Sequence, residues 1–275
     1  MIPNARCMAA LAALLLCFNV AAQQKFEPQV GQAGKDVIWV PTPDDVVDRM
    51  LTMAQVSPGD FVIDLGSGDG KIAILAARKF GARSLGIEYN PDMVKLSQSN
   101  AQAAGVAGKA SFRNADIFAS DFSQASVITM YLLPGLNMKL RPQILSMRPG
   151  TRVVSHSFTM EDWEADEIST VDGRRAYFWL VPANVMGSWT LESNGQKTDL
   201  TLEQTFQKIS GTLTFGAVHA GLREPRLRGT NIAFAIVDQA ALRRDYTGRV
   251  MEKNRMEGTY RDEKGAEGRW TAVKK

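Results

Sequence analysis

The chain has 275 residues, 45% of them apolar and 22% charged, with 23 Gly and 11 Pro, which excludes a disordered, collagen-like or low-complexity protein and leaves one large domain or two unequal ones. A formal charge of +3 is too small to indicate electrostatic capture of nucleic acid. With His156 and His219 the only histidines and Cys7 and Cys17 the only cysteines, multi-His and Cys/His metal sites cannot be assembled, and no metal is expected.

Arg6 precedes an uncharged run from Met8 to Val20, and Val20-Ala21-Ala22 offers small side chains for a cut. Residues 1–22 therefore read as a secretory signal peptide, and the released chain is expected to be exported to the periplasm. The run is shorter than the roughly 20 apolar residues of a spanning helix. Left uncleaved it would act as a membrane anchor; once removed, no transmembrane span is expected. Residues 23–40 read as an extended arm.

Thr42, Pro43, Asp44 and Asp45 give a cap, a first-turn proline and two acids for a helix whose apolar positions are Val46, Val47, Met50, Leu51 and Ala54. Strand-like runs follow at 61–65, 84–87, 110–112, 126–132 and 151–155, separated by helical stretches at 71–80, 91–104 and 135–147. Such alternation implies βαβ units and a parallel sheet. Runs at 167–171 and 175–181, split by Asp172-Gly173, add an antiparallel hairpin. Beyond Pro182 the pattern changes to short alternating segments at 188–192, 199–206, 211–215, 226–236, 244–251, 255–261 and 268–273. This predicts a small antiparallel β meander or barrel. Two domains are expected, residues 23–186 with 16 basic and 18 acidic side chains, and residues 187–275 with 15 and 11.

The chemistry concentrates in Asp64-Leu-Gly66-Ser-Gly68-Asp-Gly70-Lys71. A strand enters a glycine-rich turn that opens a helix, which lets backbone N–H groups approach a ligand closely. Asp64 at the strand end opposes a pyrophosphate, so the ligand should carry positive charge. An ammonium or a sulfonium meets that demand.

At this point the sequence resembles the class I, seven-strand S-adenosylmethionine-dependent methyltransferases. Within them, Val40-Pro-Thr42-Pro, Gly86-Ile-Glu88-Tyr89-Asn-Pro91, Tyr131-Leu-Leu-Pro134 and Thr151-Arg-Val-Val-Ser-His-Ser-Phe158 look like the ATP synthase c-subunit lysine methyltransferase family and its bacterial relatives. The resemblance implies a Rossmann-like α/β fold, a mostly parallel sheet of seven strands with flanking helices, and S-adenosyl-L-methionine as cofactor. It places Asp64, Leu65, Gly66, Ser67, Gly68 and Gly70 at the cofactor, with Thr42 as a weaker contact. Glu88, with Tyr89 beside it, falls where a carboxylate accepts both ribose hydroxyls, and Asp116, with Ile117, where an acid accepts from adenine. Tyr131 is expected to line the acceptor channel. The implied activity is methyl transfer to a nucleophile, foremost a protein lysine amine, so the implied partner is a protein or peptide. The Asn/Asp-Pro-Pro-Tyr/Phe signature of base methylation is missing, and no nucleic-acid partner is expected. A small-molecule methyltransferase and a non-catalytic exported scaffold remain open. His156 reads as a hydrogen-bonded structural histidine, Trp163 and Trp179 as core aromatics, and the arginines at 223, 226, 228, 243 and 244 as a solvated face. Residues 187–275 lie outside the family's eukaryotic pattern.

Overall fold

The computed structural model describes residues 26–237, 241–252 and 254–275. The signal-like run and its cut lie outside the described residues. Helix α1 (Asp44–Met53) precedes β1 (Phe61–Leu65), α2 (Lys71–Phe80), β2 (Arg83–Glu88), α3 (Pro91–Ala103), β3 (Ala110–Asn114), β4 (Val127–Met130), α4 (Pro134–Leu145), β5 (Arg152–His156), β6 (Glu167–Val171) and β7 (Arg174–Leu180). These strands form one sheet in the order β3-β2-β1-β4-β5-β7-β6. β1 to β5 run parallel and β7 runs against both its neighbours. The order reverses between β1 and β4, and the crevice above that reversal is where an open α/β sheet binds ligands.

Local chemistry explains the boundaries. Asn90 accepts from the backbone N–H groups of Asp92 and Met93 while Pro91 occupies the first helical position, so α3 starts there. Gly81, with φ of 73°, ends α2. In β1, Val62 packs with α1 and α2 while Ile63 and Leu65 face the opposite core, the period-two alternation of a strand covered on both faces. Asp172 and Gly173, at φ of 46° and 77°, make the hairpin turn between β6 and β7. The start of α1 departs from expectation. The cap position falls on Pro43, whose ring has no acceptor to offer, and the Thr42 hydroxyl lies instead 3.2 Å from Nδ1 of His156.

At the N-terminal ends of the strands, Asp60 ties the sheet together. It accepts from Ser57 N and Oγ and from Ser126 Oγ, and it pairs with Arg152, which also donates to the carbonyls of Ala54 and Gln55. Burial pushes the Asp60 carboxyl up, but the donors Ser126, Arg152 and Ser57 outweigh it and leave its pKa below the ordinary value.

The second half is a nine-stranded antiparallel sheet: β8 (Gly187–Ser193), β9 (Gln196–Thr205), β10 (Lys208–Phe215), β11 (Val218–Gly221), β12 (Arg223–Arg228), β13 (Asn231–Val237), β14 (Arg243–Met251), β15 (Arg255–Asp262) and β16 (Glu267–Lys274). Its order is β11-β10-β9-β8-β16-β15-β14-β13-β12, and β12 comes back beside β10, so the barrel is nearly closed. The run expected as one segment from 226 to 236 is two strands that turn at Gly229, φ 58°, and the four-residue β11 falls outside the expected segments. Trp189 and Trp270 lie buried on the paired strands β8 and β16. Phe234 stacks on Tyr246 at 5.0 Å and meets Trp270 edge-on at 5.8 Å, filling the interior. The two halves touch: Ala183 donates to the Gly229 carbonyl, Gln204 brackets the backbone of Ala183 and Val185, and Trp163 stacks on Phe206.

Candidate active site

The C-terminal ends of β1 to β5 and residues 32–42 of the arm enclose a cavity of about 320 Å³. Asp64 closes β1, and the turn after it carries Gly66, Gly68 and Gly70 at φ of 77°, 53° and 82°. At two of these positions any other residue would be strained and also obstructed. A Cβ on Gly68 would stand 2.6 Å from Trp39 Nε1, and one on Gly70 2.7 Å from the Phe112 ring. Ser97 donates to the Gly68 carbonyl at 2.8 Å and Asn100 to that of Asp69 at 3.0 Å, so α3 fixes the turn from behind.

The wall is acidic. Asp64 is 2% exposed and accepts one hydrogen bond, from Thr129 at 2.7 Å. Burial pushes its pKa up to about 7 against that bond, and the charges of Asp69 and Glu88 add to the rise. Asp69 is raised as well, chiefly by burial. Glu88 takes Gly68 N on Oε2 at 3.0 Å and Asn90 N on Oε1 at 2.8 Å, which aims the carboxylate and leaves lone pairs over. Asp116 caps a short 3-10 turn, Ile117–Ala119, by accepting from Phe118 N at 2.9 Å, and its other oxygen takes Lys35 Nζ at 2.5 Å. The Lys35 bond and the Phe118 N–H hold the Asp116 carboxyl below the ordinary carboxylate range.

Thr42, Asp64, Gly66, Ser67, Gly68, Glu88, Tyr89, Asp116, Ile117 and Tyr131 all line the cavity. Leu65 and Gly70 do not. The Leu65 side chain belongs to the core beneath the site, and Gly70 is the residue from which α2 starts, set against Phe112 and Ser97.

The sequence marks residues 23–40 as an extended arm but not their place in the site, and the arm is not extended throughout. Residues 31–39 fold back through Gly31 N to Trp39 O, Trp39 N to Gln32 O and an Ala33–Ile38 bridge, and so form the outer wall. Lys35 lies over the Tyr89 ring at 4.7 Å as well as on Asp116. No local pattern marks these residues, because their partners lie far along the chain. At the β4–β5 end, the Tyr131 ring sits 4.0 Å from that of His156 and 6.0 Å from that of Phe158, and Leu132, Leu133 and Leu136 complete an apolar mouth.

The donor set fits S-adenosylmethionine. Carboxylates in a protected wall demand positive charge, which an ammonium and a sulfonium supply. The buried Ser67 Oγ lacks a partner among the described residues, and Ser67 lines the same space. Asp64 and the glycine turn could hold the amino-acid end, Glu88 the ribose and Asp116 the adenine. Fold and cavity together define a seven-strand methyltransferase of the S-adenosylmethionine-dependent class.

Residues 64–167 match the family model described as the ANTKMT methyltransferase domain. A protein-lysine N-methyltransferase of Saccharolobus islandicus is 43% identical over 138 residues, which is 50% of this chain and 86% of that protein. The human lysine N-methyltransferase of the ATP synthase c-subunit is 31% identical over 132 residues, 48% of this chain and 56% of that one. Among solved structures, an RNA methyltransferase from Salinibacter ruber in complex with S-adenosyl-L-homocysteine is 51% identical, with a TM-score of 0.52, over 53% of this chain and 95% of that one. The chain belongs to the S-adenosylmethionine-dependent methyltransferase family that these relatives define.

Proposed function

We propose that the protein transfers a methyl group from S-adenosylmethionine to a lysine side chain of a protein. The 43% identity with a protein-lysine N-methyltransferase across 86% of that enzyme carries this reading. Bound in the cavity, the cofactor supplies an electrophilic methyl on a sulfonium, which leaves as a neutral thioether. The chain's own part is to bind, align and dry the site. Asp64 offers its carboxylate to the cofactor's ammonium, Glu88 its free lone pairs to the ribose, and Asp116 its carboxylate to the adenine amino group. Tyr131, Leu133, Leu136 and Phe158 make a mouth whose low polarity favours the neutral amine over the ammonium. An excess of acids over bases in residues 23–186 suits a cationic side chain better than a polyanion. Residues 23–186 act as the catalytic unit and residues 187–275 as a unit that docks the substrate, and the N-terminal run exports the chain to the periplasm.

The test incubates purified residues 23–275 with tritiated cofactor and separate pools of protein, RNA and small metabolites from the same cells, then maps the label by mass spectrometry. Methyl-lysine in the protein pool is the expected result. Label confined to RNA or to metabolites overturns the lysine assignment. N-terminal sequencing after cell fractionation tests export, with Gln23 expected as the first residue of periplasmic protein.

A further inference from the structure

His156 has no part in the scheme above, yet it backs the site wall. It ends β5, is 2% exposed, and its Nδ1 lies 3.2 Å from Oγ1 of Thr42, while its ring rests 4.0 Å from that of Tyr131. Thr42 and Tyr131 both line the cavity, and His156 stands behind them. Its Nε2 is buried and has no hydrogen-bond partner among the described residues.

That orphaned nitrogen fixes the direction of the Thr42 bond. Burial first and the charge of Arg174 second, against an opposing influence from Asp45, push the His156 pKa down to about 4, so the ring is neutral and carries one proton. A buried N–H without an acceptor is rarer in proteins than an acceptor left with a spare lone pair. The proton therefore sits on Nδ1 and is donated to Thr42 Oγ1. Thr42, accepting from behind, has its own hydroxyl hydrogen free to point into the cavity.

A donor at that point suits one of the two ligands and harms the other. An attacking amine needs its lone pair free, and a hydroxyl donated to it would tie that pair up. The cofactor has a single anionic group, the carboxylate of its amino-acid end, which must lie away from Asp64, Asp69 and Glu88 and needs donors. We infer that Thr42, held as a donor by His156, is the seat of the cofactor's carboxylate, and that His156 is a positioning residue for cofactor binding. This rests on the cofactor alone and not on the identity of the acceptor.

The test compares two ligands that share the adenosine end. S-adenosylhomocysteine carries the amino-acid group and 5′-methylthioadenosine lacks it. By calorimetry, Thr42→Val and His156→Phe should each weaken S-adenosylhomocysteine by about tenfold or more, the loss of one hydrogen bond to a charged group, and leave 5′-methylthioadenosine unchanged within about twofold. His156→Asn, whose side-chain amide can replace the Nδ1 donor, should regain most of the loss. Equal weakening of both ligands, as a merely structural role would give, or no weakening of either, overturns the proposal. Should His156→Phe fail to fold, as judged by its melting, Thr42→Val and the tautomer decide. Ring-nitrogen NMR of the 15N-histidine-labelled protein, with His219→Gln for assignment, should show His156 protonated on Nδ1. Protonation on Nε2 contradicts the mechanism.

Discussion

The two sheets treat buried polar atoms differently. In the barrel, the indole N–H groups of Trp189 and Trp270 each reach backbone carbonyls, and the interior is otherwise apolar and aromatic. In the α/β half lie Ser67 Oγ, Asn137 Oδ1, Ser155 Oγ, His156 Nε2 and Trp163 Nε1, all buried and without a partner among the described residues, and the carboxyl of Asp64 that burial holds at about 7. Two cores of similar material therefore have different ends. One is settled from within, whereas the other keeps unpartnered polar atoms, of which the Ser67 hydroxyl, like the Asp64 carboxyl, lines the cavity where a ligand can meet it.

The largest expected effect on cofactor binding comes from Asp64→Asn. The substitution keeps an Oδ1 acceptor for Thr129 and deletes the charge, so cofactor affinity should fall by about a hundredfold or more, the loss of a charge-assisted contact. The ligand-free protein should nevertheless melt higher. The Asp64 pKa is above its ordinary 3.8, so ionising it costs stability from that pH upward, with the whole cost present above about 7. The gain from Asn is thus absent near pH 4 and greatest near pH 8, and melting curves at the two pH values check it. A variant that melts lower at pH 8 breaks the contrast between the halves.

Trp270→Ala attacks the settled half. Emptying that site should cost about 3–5 kcal/mol of barrel stability by thermal or urea unfolding, with S-adenosylhomocysteine affinity retained at a temperature where the barrel stays folded. Loss of affinity in step with stability would show that the barrel shapes the cavity. Next in size is a pH effect. If bound cofactor requires ionised Asp64, its Kd in the wild type should rise below pH 7, approaching tenfold per unit, and the slope should vanish in Asp64→Asn. A flat profile in the wild type would move the ammonium to another partner. Gly68→Ala forces a side chain into a left-handed turn and toward Trp39, and should weaken the cofactor about tenfold. The smallest effect is that of Lys35→Met, which frees one oxygen of Asp116 from an exposed pair and should tighten the cofactor by no more than about threefold. Weaker binding would instead make Lys35 a contributor to the site.

Much of the α/β half can be read from the sequence because each element there announces its own ends. Gly66 to Gly70 and Asn90-Pro91 punctuate strand and helix by local backbone chemistry, and Asp64, Glu88 and Asp116 sit at strand ends that the alternation itself locates. What stays hidden depends on partners far along the chain. Lys35 reaches across 81 residues to Asp116, and Thr42 across 114 to His156, which is also why Thr42 has the look of a cap in sequence and is none in the fold. In the barrel, Arg226 to Ile236 looks like one strand because Gly229-Thr230 carries only a weak turn signal, and Val218–Gly221 is too short to show alternation.

The knot of Asp60, Ser57, Ser126 and Arg152 joins β1, β4 and β5 at the sheet edge away from the cavity. Alignment of the strands is thereby secured at one rim while ligand contacts are made at the other. A side chain of the upper rim can be exchanged without touching the bonds by which the lower rim keeps the strands in step. Strand alignment and ligand contact thus rest on separate residues.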